Sequence, residues 1–266
     1  MRQLRQSLPT GKDDVLRFHQ ASVALLPTLP TTSSASARTI AERERLLAIR
    51  FPESLREWYV MDRSVELLGE YSNDDWPVPL GQLGSPVEDW YGDGPRNLID
   101  DGLLWFMAEN QGVCNWAVRL DGTDDPPVLV EVDSARRDIW QPAAATFSEF
   151  VYCQIWDHPR GTLLCEAQER SLSKDDLRYL QRQFCPGPVT ESWPGSRNLR
   201  FAAPHGRILI WTTEEDQTDW LLYANSEQRM NRLIRSVWAC GSLSTTLYGT
   251  DAGAESALRE VRTTVG

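Results

Sequence analysis

Hydrophobic positions along this chain change their period several times, and each change marks an element. Residues 103–107, 113–120 and 128–132 are short runs rich in β-branched and aromatic side chains. An Asn-Gln-Gly turn (110–112) and an Asp-Gly-Thr-Asp-Asp-Pro-Pro turn (121–127) separate them, which predicts an antiparallel meander. Upstream, Thr39-Ile-Ala-Glu42 reads as a capping box opening a helix with Ile40, Leu47 and Phe51 on one face. Pro52 then starts a second helix, with Leu55, Trp58 and Tyr59 as its buried stripe. From Val60 to Asp100, Pro, Gly, Asn and Asp recur at short intervals and predict loop with at most one strand. Downstream, Thr146-Phe-Ser-Glu149 is a second capping box, followed by Phe147, Phe150, Val151 and Ile155 at core-facing helical spacing. Trp58, Trp105, Trp116, Phe147 and Phe150 are the expected core of this region.

After Gly161 a second series begins. Residues 163–166 read as a strand, and Ser173 caps a helix with Leu177, Leu180 and Phe184 on one side, ended by Pro186-Gly187-Pro188. Strands over 198–203 and 207–212 flank a Pro204-His205-Gly206 turn, and a third covers 219–224. Met230, Leu233, Ile234, Val237 and Trp238 follow at i, i+3, i+4, i+7 and i+8, an amphipathic helix stopped by Gly241, with a short last helix over 254–261. The N-terminal residues 1–37 divide into a short amphipathic helix (13–26) and the segment PTLPTTSSASA, whose composition predicts a flexible linker, and residues 1–36 are expected to be dispensable. The expected class is therefore α+β. Residues 38–160 form a domain with a mixed, largely antiparallel sheet flanked by helices, and residues 161–266 a second, smaller α+β lobe whose role the sequence does not indicate.

Composition narrows the picture further. The five Cys are odd in number and lack a Cys-x-x-Cys pair, as expected for buried free thiols in a reducing cytoplasm. No apolar run approaches the roughly 18 residues of a membrane span, and Pro27 interrupts the run at 23–26, so neither a membrane nor an export signal is expected. Net charge is −11, unevenly placed: residues 53–138 hold 19 Asp and Glu against six Arg and no Lys. Such a surface disfavours nucleic acid and anionic lipid and attracts a basic protein. The acidic excess is sharpest between Glu70 and Asp101. Asp74, Asp75, Glu88, Asp89, Asp93, Asp100 and Asp101 there interleave with Tyr71, Trp76, Trp90 and Tyr91, the residue types that dominate binding hot spots. Those eleven residues are the candidate partner-binding face, the alternative being an ordinary solvated surface with Trp76 and Trp90 tucked into the core.

Catalytic signals are weak by comparison. His19, His158 and His205 lack a partner at triad or ligand spacing, and no nucleophile elbow, phosphate loop, dinucleotide fingerprint or zinc-protease motif is present. Asp121-Gly-Thr-Asp-Asp125 faintly resembles a calcium loop but lacks the acidic twelfth position and reads better as a hairpin turn. No cofactor or metal is expected. If the chain were an enzyme, Glu109, Asp121 and Asp133 around the meander would be the acidic candidates.

Residues 38–156 resemble the SUKH superfamily, the Smi/Knr-type proteins. The likeness rests on Glu42, Phe51-Pro52 and Leu55-Arg56-Glu57-Trp58-Tyr59, on residues 103–106, on Gly112 with Trp116 to Asp121, on Pro127-Val128, and on Phe147-Ser148-Glu149-Phe150-Val151. It departs at Met61-Asp62-Arg63-Ser64, where the family usually has an Asn-Gly or Asp-Gly turn. The resemblance implies an α+β fold, no catalysis and a protein-binding role. Bacterial members are commonly immunity proteins that neutralise nuclease or deaminase toxins, and eukaryotic ones are regulatory interaction proteins. An immunity protein against a basic toxin is thus the first expectation, and an adaptor without a toxin the second.

Overall fold

Three successive N–H groups, those of Arg17, Phe18 and His19, donate to the carboxylate of Glu57 at 2.8 Å each. This clamp fixes the start of the segment that the composition predicts to be free. The computed structural model describes residues 16–87, 95–131, 139–169, 171–191, 195–213 and 217–265. Within it the expected amphipathic helix is a single turn, α1 (Gln20–Val23), with His19 and Val23 buried against the first lobe. Further on, the Thr31 carbonyl accepts the N–H of Asp62 (2.7 Å), and the Ser33 N–H reaches the Val60 carbonyl (2.8 Å). Residues 16–26 dock on the first lobe, and the flexible-linker expectation is corrected for residues 27–37. Their Ser and Thr content weakens local structure, but their backbone finds partners in the chain at 60–62.

Ser33 also moves the next helix start. Its hydroxyl accepts the Ser36 N–H and caps α2 (Ser34–Leu47), six residues before the expected cap Thr39, whose own hydroxyl bonds back to the Ala35 carbonyl. Pro52 caps α3 (Glu53–Tyr59), and Leu55, Trp58 and Tyr59 are buried as the spacing predicts. The region expected to be loop contains a further helix, α4 (Ser64–Glu70), entered through Arg63 at φ 59°. Two turns of helix are marginal alone, so packing of the fully buried Leu68 holds it.

The first sheet has the order β1 (Trp76–Pro77), β2 (Leu103–Ala108), β3 (Asn115–Arg119), β4 (Val128–Glu131) and β5 (Trp140–Ala144), every described pair antiparallel. The middle three are the expected meander. One face buries Leu104, Phe106, Trp116, Val118, Val128 and Val130 against the helices, while Leu103, Ala117 and Leu129 on the other are covered by Val87, Leu98 and the half-buried Trp105 and Trp140. Closing this lobe is α5 (Phe147–Asp157), whose cap Thr146 accepts the Glu149 N–H. Phe147, Phe150, Val151 and Ile155 enter the core as predicted, with Phe106 meeting Phe147 and Phe150 edge-on at 5.1 and 5.3 Å.

The second lobe comprises β6 (Leu163–Glu169), α6 (Lys174–Gln183), β7 (Cys185–Pro186), β8 (Ser196–Ala203), β9 (Gly206–Thr213), β10 (Thr218–Ala224), α7 (Glu227–Val237), α8 (Leu243–Thr246), β11 (Tyr248–Gly249) and α9 (Ala252–Val265). Its strands pair antiparallel in the order β11-β6-β10-β9-β8-β7. Alternation divides each strand: Cys165, Ile208, Ile210, Trp220 and Leu222 face α7 and α9, and Leu164, Leu209, Leu221 and Tyr223 on the opposite face turn to the first lobe. At the β8–β9 turn a Cβ on Gly206 would collide with the carbonyl oxygen of Tyr223, so glycine there lets the hairpin close against β10. Four of the five thiols are buried as expected, but Cys185 lies exposed on the edge strand β7. Burial pushes the Cys165 and Cys240 thiols up to about 12. No helix among the described residues is long and apolar enough to cross a membrane.

Candidate binding cleft between the lobes

Helix α5 is buried on both sides. Beyond its core stripe, Cys153, Trp156 and Asp157 are buried too, because this second face docks on the sheet of the second lobe. Trp156 packs with Leu209 and Tyr223, joined by the partly buried Leu25, Tyr152, Leu164 and Leu221. The seam is pinned by charge. Arg200, fully buried on β8, donates Nε and Nη2 to the two carboxylate oxygens of Asp157 at 2.7 and 2.5 Å, and its Nη1 reaches the Pro188 carbonyl. Arg207 stands over the Trp156 ring, 5.4 Å from its centroid, and donates to the Trp156 carbonyl at 3.0 Å.

Beside this sealed contact the lobes part and leave a cleft of about 420 Å³, inside the range of small-ligand pockets. Asn73, Asp75, Trp116 and residues at the end of α5 form its first-lobe wall, and Glu166, Trp211, Leu221 and Tyr223 belong to the second. The turn at residues 72–76 explains how Asp75 enters. Ser72 Oγ accepts the Asp75 N–H at 3.1 Å, and Asp74 takes φ 58°, a left-handed conformation that Asp tolerates. Asp75 thereby turns inward, 8% exposed, while Trp76 turns outward, 54% exposed. The hairpin tip between β2 and β3 lies against it, with the Asn110 N–H donating to Asp75 Oδ1 at 3.2 Å.

Asp75 has no ion-pair partner among the described residues. Burial pushes its carboxyl up to about 6; the Asn110 N–H opposes this and the nearby Glu109 charge adds to it. A carboxylate held in a cleft at such a cost is a functional candidate. Glu166, opposite, accepts the Tyr248 hydroxyl at 2.6 Å and is likewise without a cation among the described residues. Among the described residues no Arg or Lys lines the cleft.

Of the eleven residues proposed from sequence, the six that the structure describes do not share one exposed face. Tyr71 and Asp75 are buried, a correction to their reading as surface: Tyr71 packs in the core with Arg160 over its ring, 5.9 Å from the centroid. Asp74 and Trp76 are exposed beside the cleft. Asp100 and Asp101 are exposed before the start of β2, whereas Trp76 pairs with Ala108 at its end, so the two groups stand about 17 Å apart along the strand. Glu88, Asp89, Trp90, Tyr91 and Asp93 lie outside the described residues. Arg96, the single cation of that stretch, pairs at 2.6 Å with the fully buried Glu131, which also accepts the Asn115 side-chain N–H at 2.7 Å.

The acidic residues offered as enzyme candidates have local structural partners. Glu109 is buried and accepts the Gln111 and Val113 N–H groups of its turn (2.7 and 3.2 Å). Asp121 accepts the Thr123 N–H and hydroxyl, which hold its carboxyl below the usual range. Asp133 lies outside the described residues. In the calcium-like turn, Asp125 accepts from Ser148 N–H and Oγ at the start of α5, and no group of metal-ligating residues occurs among the described residues.

Sequence reasoning missed His19 as a buried residue and did not place a cleft at all. His19 meets the Ser54 carbonyl through Nε2 at 2.9 Å and sits edge-on to Phe147; burial lowers its pKa. For the cleft, the available signal was the outward alternate positions of β6, β9 and β10, which carry Leu164, Leu209, Trp211, Leu221 and Tyr223 where a solvated face would be polar. No family model matches the chain, and neither curated proteins nor solved structures yield a match.

Proposed function

We propose that this chain is a non-catalytic protein-binding module of the SUKH type, acting in the cytoplasm as an immunity protein that neutralises a basic toxin domain of nuclease or deaminase type. The observation that carries the reading is the concentration of charge: 19 carboxylates against six Arg between residues 53 and 138. Among the described residues Asp62, Glu66, Glu70, Asp74, Asp100, Asp101, Asp121 and Asp124 of that window are exposed. Exposed Trp76 adds an aromatic anchor next to Asp74. Complementary charge of this kind raises association rates and selects basic partners. The same surface would serve a regulatory adaptor without a toxin.

A second reading is favoured by one observation. Asp75 lies inside an aromatic-walled cleft where burial raises its carboxyl to about 6, a placement that would suit a general acid or base. The two readings differ in stoichiometry. Co-expression with the toxin-like domain encoded beside the gene should protect cells, and purified chain should inhibit that domain one-to-one. Association should slow by roughly tenfold or more between low and moderate salt. Protection at strongly substoichiometric ratios, lost in Asp75→Asn, would instead establish an enzyme that destroys the toxin or its product.

A further inference from the structure

The cleft contains aromatic and apolar walls, two carboxylates without cationic partners among the described residues, and a volume of about 420 Å³, ample for an inserted side chain. Trp211 on β9 is 37% exposed, an unusual position for an indole on a sheet face that is otherwise turned toward the neighbouring lobe. Trp116 and Tyr223 are buried in the opposing walls, 3% and 7% exposed. Asp75 is more than nine-tenths buried, lines this space and meets only backbone N–H groups, while Glu166 is held in place by the Tyr248 hydroxyl. By contrast, the third acidic group of the cleft, Asp157, is neutralised by Arg200. The space therefore combines planar aromatic surface with two carboxylates that no Arg or Lys neutralises among the described residues, His158 being the one basic side chain in its lining.

We propose that the interlobe cleft binds the guanidinium group of an arginine side chain on the basic protein partner, with Asp75 and Glu166 as its counter-charges and Trp211 as the ring on which it stacks. The inference rests on the protein-binding reading above and names the group that the partner inserts. Arginine is favoured over lysine because a planar, weakly hydrated guanidinium stacks on indole and offers N–H donors to two carboxylates at once, whereas an ammonium is a compact, strongly hydrated point charge. Trp76, exposed on the strand that follows Asp75, is placed to meet the partner surface around that side chain. Insertion would thus supply the charge that Asp75 lacks in the free protein.

The test uses the full chain labelled with ¹⁵N and three probes: N-acetyl-arginine amide, its neutral isostere N-acetyl-citrulline amide, and N-acetyl-lysine amide. Indole N–H signals assigned by Trp211→Phe and Trp116→Phe report on the cleft. Arginine amide should move the Trp211 signal saturably in the millimolar range, lysine amide more weakly, and citrulline amide not at all. Asp75→Asn should weaken the arginine response by at least about tenfold, and Glu166→Gln should weaken it as well. Asp75→Asn removes an uncompensated charge and keeps the acceptor for Asn110, so loss of folding does not confound it; a melt run beside the titration verifies this. Equal responses to arginine and citrulline, or an arginine response unchanged by Asp75→Asn, overturn the proposal, as does the absence of any saturable shift.

A parallel measurement separates this inference from the function on which it rests. If the toxin-like domain binds the wild type and Asp75→Asn equally, the cleft is not the arginine site although the immunity reading stands. If the arginine probe titrates into the cleft but the domain does not bind, the site stands and the toxin is the wrong partner.

Discussion

The two ends of the seam between the lobes treat buried negative charge in opposite ways. At the sealed end Asp157 receives both of its hydrogen bonds from Arg200, a cation buried with it, and Arg207 reinforces the contact over Trp156. At the open end Asp75 is buried to a similar degree, yet what it accepts comes from backbone N–H groups, and its proton affinity rises in consequence. Removing a charge from water costs several kcal/mol unless a partner compensates it. The sealed end has the composition of a joint. The open end has that of a socket whose partner comes from outside.

The largest effect expected from breaking this contrast is at Arg200. Arg200→Leu leaves Asp157 buried without its cation and should destabilise the chain by about 3 to 5 kcal/mol, read in denaturant or thermal unfolding. Adding Asp157→Leu should restore much of the loss, because the cost lies in the orphaned charge more than in the missing bond. A double variant no better than the single would show that Arg200 acts through packing alone.

The opposite sign is expected at Asp75. A carboxyl raised to about 6 in the folded chain, against about 4 unfolded, stabilises the fold below pH 4 relative to neutral pH, and that contribution is lost as pH rises through 6. Asp75→Asn should therefore raise stability at pH 7 by roughly 1 to 2 kcal/mol, after allowance for water reaching the cleft side. The gain should shrink toward zero between pH 6 and pH 4. A variant less stable than wild type at pH 7 would mean that Asp75 has a compensating role within the fold.

Smallest should be the effect of Trp211→Ala on folding, within about 1 kcal/mol, since over a third of that residue is already in water. A loss of several kcal/mol would move Trp211 from the socket to the joint.

How far these two ends were legible in the sequence differs in a physically understandable way. Period and caps are local, so Thr146 and Ser173 marked their helix starts and Met230, Leu233, Ile234 and Val237 marked a buried face correctly. The destination of a polar side chain is not local. Asp75 reads as one more carboxylate in an acidic run, and only the left-handed Asp74 and the Asn110 hairpin, 35 residues away, turn it inward. Likewise, the Ser/Thr-rich segment looked unable to order itself, because the backbone partners of Thr31 and Ser33 are Asp62 and Val60, 31 and 27 residues away. The pairing of Arg200 with Asp157 spans 43 residues and joins a helix of one lobe to a strand of the other, and neither residue stands in a motif.

Helix α5 belongs to both lobes at once: Phe147, Phe150 and Val151 fill one core, and Trp156 closes against the other sheet. A boundary drawn after it, at residue 160, divides the chain neatly on paper but strips that helix of half its cover. The consequence concerns cooperativity. Melting either lobe uncovers Trp156 and Asp157, so unfolding should spread through α5 and proceed as a single transition. The slowest-exchanging amides of both sheets should then share one opening free energy.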